Sequence, residues 1–170
     1  MVRKNNSATA RLEGGGCIIR SMLKNRSVPT NTVLAHIVYQ DVAGAIAWLT
    51  RAFGFVEYYR YGDPISGAQM FLGDVHIMLS RARPGWASPA QIGQRTQSLT
   101  VFINDIEAHF HRAKSVGAKI VEDLHETCYG ELQYGVEDLE GHHWLFSKHA
   151  RDVSPDEWGA TIASSGIPAV

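Results

Sequence analysis

Two stretches of the chain repeat one order of apolar and polar positions, and such a repeat organises everything else. VLAHIVYQDVAGAIAWLTRAFGFVEY (33–58) and SLTVFINDIEAHFHRAKSVGAKIVED (98–123) each open on alternating residues and reach an aspartate. Each then takes up helical spacing, stops at glycine and resumes extended. Asp41 and Asp105 stand where an N-cap carboxylate accepts the unpaired first-turn N–H groups. Gly54 and Gly117 stand where a helix ends on a left-handed residue. Between them Ile46, Leu49 and Phe53, and again Ile106, Phe110 and Ala113, recur at helical spacing. The repeat continues in LGDVHIMLSR (72–81) and LEGHHWLFSK (139–148), each a turn followed by a strand.

Each half therefore reads as strand, helix, then three strands. The strands are expected at 33–40, 55–62, 67–72 and 75–81, and at 98–104, 118–123, 130–137 and 142–148. The pattern predicts an α+β protein of two βαβββ modules, 31–81 and 98–150. A Pro-, Gly- and Ser-rich linker, 82–97, joins them. Residues 151–170 form a tail with one helical turn after Ser154.

Period-2 alternation sorts the strand side chains. Ile37 and Tyr39, Ile77 and Leu79, Leu99 and Val101, and Trp144 and Phe146 share apolar faces suited to the helices. The other face mixes His36, His76, Ser80, Ser98, Thr100, His143 and Ser147 with Leu34, Val38, Met78, Phe102 and Leu145. Gln69, Phe71, Glu131 and Gln133 are placed there too. Apolar walls with a few polar groups are the make-up of a small-molecule pocket. A merely solvated sheet would leave the apolar members exposed.

Charge changes the picture only at the start. Residues 1–30 carry net +5, from Arg3, Lys4, Arg11, Arg20, Lys24, Arg26 and Glu13, leaving −6 for the rest of a chain of net charge −1. That arm has no aromatics to stack on bases and no helical period, so no nucleic-acid or membrane partner is expected of it. GGGCII is too short and glycine-rich for a signal-peptide core. We expect an ill-ordered leader outside the fold, with Met22 as a possible later start. No apolar run approaches the ~18 residues needed to cross a bilayer. Cys17 and Cys128 are far apart and read as free thiols in the cytoplasm.

The order strand–Asp–helix–FGF, then LGDVHIML, then YGELQYGVEDLEGHHW resembles the vicinal-oxygen-chelate superfamily of glyoxalases, bleomycin-resistance proteins and extradiol dioxygenases. The resemblance covers about residues 33–148. It is sharpest at 129–146, where YGxxxYxVxDxxGHxW is similar to the bleomycin-resistance-like and phosphonate-cluster-associated branch. It implies mixed sheets curled around a cleft and, in many members, a divalent metal held by two side chains per module. Those positions fall on Leu34, Met78, Ser98 and Leu145, none of them an imidazole or carboxylate. No metal or other cofactor is therefore expected. His36, His76 and His143 each lie two residues from such a position. A parallel first and last strand would then hold His36 and His76 about four residues, or ~13 Å, apart at ~3.3 Å per residue.

The resulting expectation is a metal-independent small-molecule binder of bleomycin-resistance type, taking an aromatic or amphiphilic compound in the inter-module cleft. The ligand-binding candidates are His36, Gln69, Phe71, His76, Trp86, Thr100, Phe102, Glu131, Gln133 and His143. Trp86 suits stacking on a planar ligand or packing under its own loop. Arg81 and Arg83 suit an anionic ligand or a solvated loop edge. His109 and His111 are expected in solvent, and His142 in a structural hydrogen bond. Two alternatives remain open. One is a glyoxalase- or dioxygenase-type enzyme using an ion on His76, His143 and Glu131, and the other a metal-free lyase or isomerase with a histidine base. A homodimer is expected, its cleft formed within or between chains.

Overall fold

The computed structural model describes Val28 and residues 32–162, so nearly all of the 1–30 leader lies outside the described residues. The elements are β1 (Ala35–Tyr39), α1 (Val42–Phe53), β2 (Val56–Tyr61), β3 (Gly67–Leu72) and β4 (Val75–Arg81). A short α2 (Pro89–Ile92) follows, then β5 (Ser98–Phe102), α3 (Ile106–Ser115), β6 (Lys119–Glu126), β7 (Glu131–Glu137) and β8 (His143–His149). A 3-10 turn at Pro155–Trp158 closes the series, where a turn after Ser154 was expected. No helix among the described residues is long and apolar enough to cross a membrane.

The helices begin and end for the reasons their sequences suggest. The Asp41 carboxylate accepts from Gly44 N at 3.0 Å, and that of Asp105 from Ala108 N at 3.1 Å. Gly54, at φ 80°, takes the left-handed conformation that ends α1. α2 was not anticipated within the linker. Its start is nonetheless written in S-P-x-Q, with Pro89 in the first turn and Ser88 N–H donating to Gln91 Oε1 at 2.9 Å.

Two separate four-stranded sheets result, in orders β1-β4-β3-β2 and β5-β8-β7-β6. β1 runs parallel to β4 and β5 parallel to β8, and the other pairings are antiparallel. Neither sheet closes, and β1 and β5 are both edge strands. The inward faces of both sheets and both long helices share one core. Ile37, Tyr39, Leu49, Phe53, Ile77 and Leu79 of the first module meet Val101, Ile106, Tyr134, Trp144 and Phe146 of the second. Phe53 makes the junction, its ring 4.9 Å from that of Phe146 and 5.6 Å from that of Trp144. By strand alternation the second faces of the two sheets point away from this shared core.

His109 corrects an expectation. It is not in solvent but half-buried, packed against Phe146 at the core's edge with ring centroids 4.2 Å apart. Nε2–H donates to Phe53 O at 2.9 Å, which leaves Nδ1 to accept from Tyr134 O–H at 2.6 Å. One neutral tautomer thus satisfies both bonds, and burial holds the imidazole pKa below its ordinary value. His111 is exposed, as expected.

A polar lock also joins the modules. Asp138, buried in the turn before β8, accepts through Oδ2 from Tyr39 O–H (2.7 Å) and Trp144 Nε1–H (3.1 Å). Through Oδ1 it accepts from the backbone N–H groups of Glu140 and His142, both at 3.0 Å. Buried Glu140 reaches back to Gln40 N (2.7 Å) and Asp41 N (3.3 Å), at the start of α1. His142 Nε2–H donates to Val38 O at 2.8 Å, the structural role expected of it.

Candidate functional site

The outer face of the first sheet is built by cross-strand rows. His36 of β1 stands opposite Met78 of β4, which stands opposite Gln69 of β3. His76 stands opposite Phe71, with ring centroids 6.1 Å apart. Gln69 is buried on this face, its Nε2 3.4 Å from His76 Nδ1. The second sheet has matching rows: Ser98–His143–Glu137, Thr100–Leu145–Gly135 and Phe102–Ser147–Gln133. Ser147 Oγ–H donates to Gln133 Oε1 at 3.0 Å, and Tyr129 O–H donates to the same oxygen at 3.1 Å.

The ten candidates therefore fall into two groups. His36, Gln69, Phe71 and His76 share one sheet face, while Thr100, Phe102, Glu131, Gln133 and His143 share the other. Within one chain these faces do not oppose each other. Trp86 joins the first group, because the linker crosses the β1 edge. A cavity of about 230 Å³ lies there, walled by Val38, Trp86, Pro89 and Ile92 with the polar groups of His36, Thr96 and His142. Trp86 is 42% exposed, and the Arg83 guanidinium sits 4.7 Å from its ring centroid. Arg81 instead donates to Ile65 O at 2.5 Å, bracing the β2–β3 turn.

The observed register corrects the expected spacing of the first-module histidines. His36 pairs with Met78, so His36 and His76 are two residues out of step rather than four. That is roughly 7 Å along the strands at ~3.3 Å per residue. The offset of a parallel pair depends on how its crossover helix returns, which side-chain alternation does not encode. The ion site imagined on His76, His143 and Glu131 is not assembled within the chain. His76 lies on the other sheet. Glu131 opposes His149 whereas His143 opposes Glu137, so Glu131 and His143 stand six residues, roughly 20 Å, apart.

Donor chemistry at the superfamily's metal positions does not fit a divalent ion. Leu34, Met78, Ser98 and Leu145 offer two alkyl groups, a thioether and a hydroxyl. Among the described residues no three His, Cys, Asp or Glu side chains come together as a metal group.

Sequence reasoning missed Glu122 on the second outer face. The β6–β7 register shifts on either side of it, at Ile120/Glu122 and again at Glu122/His125. Bulges re-aim side chains in this way. Glu122 Oε1 lies 3.2 Å from His125 Nε2. Beside it opens a pocket of about 540 Å³, lined by Arg95, Gln97, Ser98, Val121, Glu122 and His143. Burial, then the Arg95 charge, hold the His143 pKa below its ordinary value. Lys119 and Arg95 hold the Glu137 carboxyl below the usual carboxylate range, chiefly through the Lys119 hydrogen bond.

Comparison with known proteins agrees with this architecture. A family model described as Glyoxalase/Bleomycin resistance protein/Dioxygenase superfamily matches residues 31–146. An uncharacterised Mycobacterium bovis protein is 30% identical over 139 residues, covering 77% of this chain and 91% of that relative. The crystal structure of TioX from Micromonospora is similar at 35% identity and TM-score 0.59, covering 69% of this chain and 97% of TioX. The fosfomycin resistance protein FosX of Listeria monocytogenes, solved with Mn(II) and sulfate, shares the fold at 16% identity and TM-score 0.54. That match covers 72% of this chain and 91% of FosX.

Proposed function

Because the chain belongs to the Glyoxalase/Bleomycin resistance protein/Dioxygenase superfamily, we propose that it is a small-molecule-binding protein of the bleomycin-resistance type that takes an aromatic or amphiphilic compound without a metal ion. One observation carries the reading. Trp86 and His36, 50 residues apart in sequence, meet at a cavity with apolar walls and a few polar groups, the composition of a ligand site. Trp86 supplies a flat apolar surface for a ring, and His36, Thr96 and His142 supply orientation.

The same reading calls for a second copy of the chain. One chain turns its two candidate faces away from each other and leaves Phe102, at the end of the edge strand β5, 62% exposed. Both faces carry an open edge, β1 or β5. A symmetric homodimer setting β1 of one copy beside β5 of the other covers both edges and encloses Phe102.

Native mass spectrometry of gently purified protein tests the first part, with a retained organic compound expected and its loss expected in Trp86→Ala. Equal retention by the variant refutes the role of Trp86. Light scattering tests the second part, with a mass of twice the 18.8 kDa chain expected. A mass near one chain at every concentration excludes the dimer.

A further inference from the structure

Where β4 leaves the first sheet for the linker, a pocket opens that the Trp86 cavity does not include. It measures about 270 Å³ and is lined by Tyr61, Ser66, Ser80, Arg81, Ala82 and Arg83. Tyr61 ends β2, Ser66 closes the β2–β3 turn, and Ser80 and Arg81 end β4. Gly67 stands between Tyr61 and Ser80 in one cross-strand row. Its φ lies outside the left-handed region, so the backbone angle does not demand glycine there. A side chain would, however, run into the phenol end of Tyr61. Bare Gly67 lets the Tyr61 ring lie across β3 towards Ser80. Neither the Tyr61 O–H nor the Ser80 O–H has a hydrogen-bond partner among the described residues.

The charge at this pocket runs against the rest of the body. Residues 31–170 carry net −6, and Arg60, Arg95 and Arg151 each meet a carboxylate. Arg81 and Arg83 make no ion pair among the described residues. No acid lines the pocket, and Asp63 of the adjoining turn pairs with neither arginine. The bond from Arg81 to Ile65 O holds that guanidinium against the turn and leaves most of its donor fork free. Arg83 lines this pocket and not the Trp86 cavity, yet its guanidinium lies over the indole, so the residue stands between the two. Val38, the cross-strand partner of Ser80, lines the Trp86 cavity from the other side.

We propose that this pocket seats an anionic oxygen group of the ligand, carboxylate or phosphoryl, so that the compound held at Trp86 is an aromatic acid. The proposal rests on the small-molecule reading above and deepens it. Its chemistry is one-sided. Two guanidinium groups and two unpartnered hydroxyls can all donate, which suits a group that only accepts. An ammonium would meet two positive charges and no carboxylate. Both seats belong to the first module, so one ligand reaches them without crossing to the second sheet.

Four probes sharing one naphthalene ring test it: 2-naphthylacetate, 2-naphthylmethyl phosphate, 2-naphthylacetamide and 2-(2-naphthyl)ethylammonium. Affinities are read by NMR on the full chain, following the Trp86 indole N–H and the Arg81 and Arg83 Nε–H groups separately. At least one of the two acids should bind about tenfold more tightly than the neutral amide, and the ammonium least tightly. Whichever acid binds tighter identifies the group as carboxylate or phosphoryl. Arg83→Gln should remove most of the preference, and Tyr61→Phe, which leaves Trp86 and its arginine in place, should narrow it. Arg151→Gln, in the second module, should keep it. Equal affinity for acids and amide refutes the seat, as does a preference undiminished in both Arg83→Gln and Tyr61→Phe. Amide binding at Trp86 without the preference sinks the seat alone, and no binding of any probe at millimolar concentration sinks both readings.

Discussion

Replacing Asp138 should be among the costliest single changes in the protein, and the cost can be worked from its partners. The carboxylate is 6% exposed and accepts four hydrogen bonds, two from side chains of different modules and two from its own turn. Hydrogen bonds to a charged group contribute about 1.5–3 kcal/mol each. The two backbone donors lie at a turn where water can replace some of that. Tyr39 O–H and Trp144 Nε1–H are fully buried and have no such substitute. Asp138→Ala should therefore cost about 3–5 kcal/mol, a large share of the roughly 5–15 kcal/mol of a typical domain. Asp138→Asn keeps the shape, but its NH₂ must face two donors whichever way the amide turns. Tyr39 can rotate its hydroxyl to accept, whereas the indole N–H is donor-only, so about 2 kcal/mol is expected. Tyr39→Phe removes one donor and leaves three, for about 1–2 kcal/mol. Urea unfolding followed by tryptophan fluorescence should give this order, Ala above Asn above Phe, with an unchanged dependence on urea. If Asp138→Ala does not fold, the Asn and Phe variants still carry the comparison. A loss under about 1 kcal/mol in Asp138→Asn would show that the lock contributes little.

Three further outcomes are expected. His109 is held neutral, with its folded pKa below the unfolded value near 6.5, so its contribution is complete above about pH 6.5 and is lost as pH falls through the folded pKa. Stability measured between pH 7.5 and 5.5 should fall less steeply in His109→Gln, by up to ~1.4 kcal/mol per pH unit, and identical slopes would refute the linkage. Asp41→Ala should cost about 1 kcal/mol by urea unfolding through loss of the α1 cap, and no measurable loss would mean Glu140 alone holds that helix start. Elemental analysis should find less than one transition-metal ion per chain, on the donor chemistry of Leu34, Met78, Ser98 and Leu145, and a stoichiometric ion would overturn that reading.

Most of the fold is legible in the chain because its elements follow local periodicity. Asp41 and Asp105 cap the helices they precede, and each expected strand appears within two or three residues of its place. What escaped depends on geometry that alternation cannot carry. The bulge beside Val121 turns Glu122 onto a face that strict period-2 reading gives to its neighbour. The parallel offset of β1 on β4 left His36 and His76 closer in step than a simple count allows. His109 is a different case, for the signal was present. It stands three residues after Ile106 and four before Ala113, on the buried stripe of α3. Polarity suggested solvent, and the partners that make burial tolerable, Tyr134 and the Phe53 carbonyl, belong to distant elements. Of the site, the residue types and their faces were readable. Which face meets which was not, since that depends on how two modules share one core.

The lock at Asp138 also breaks the likeness of the two halves. Before β8 the turn reads Asp-Leu-Glu-Gly-His, and before β4 it reads only Leu-Gly-Asp. The donors that satisfy Asp138 and Glu140 include Tyr39, Gln40 and Asp41, all in the other half. If the polypeptide were severed within 82–97 and the fragments mixed, unlike fragments should reassociate in preference to like ones. A pair of second-half fragments would bury two acidic turns with no tyrosine to meet them. The internal twofold is therefore one of shape and not of chemistry, and the two halves are complementary pieces rather than interchangeable ones.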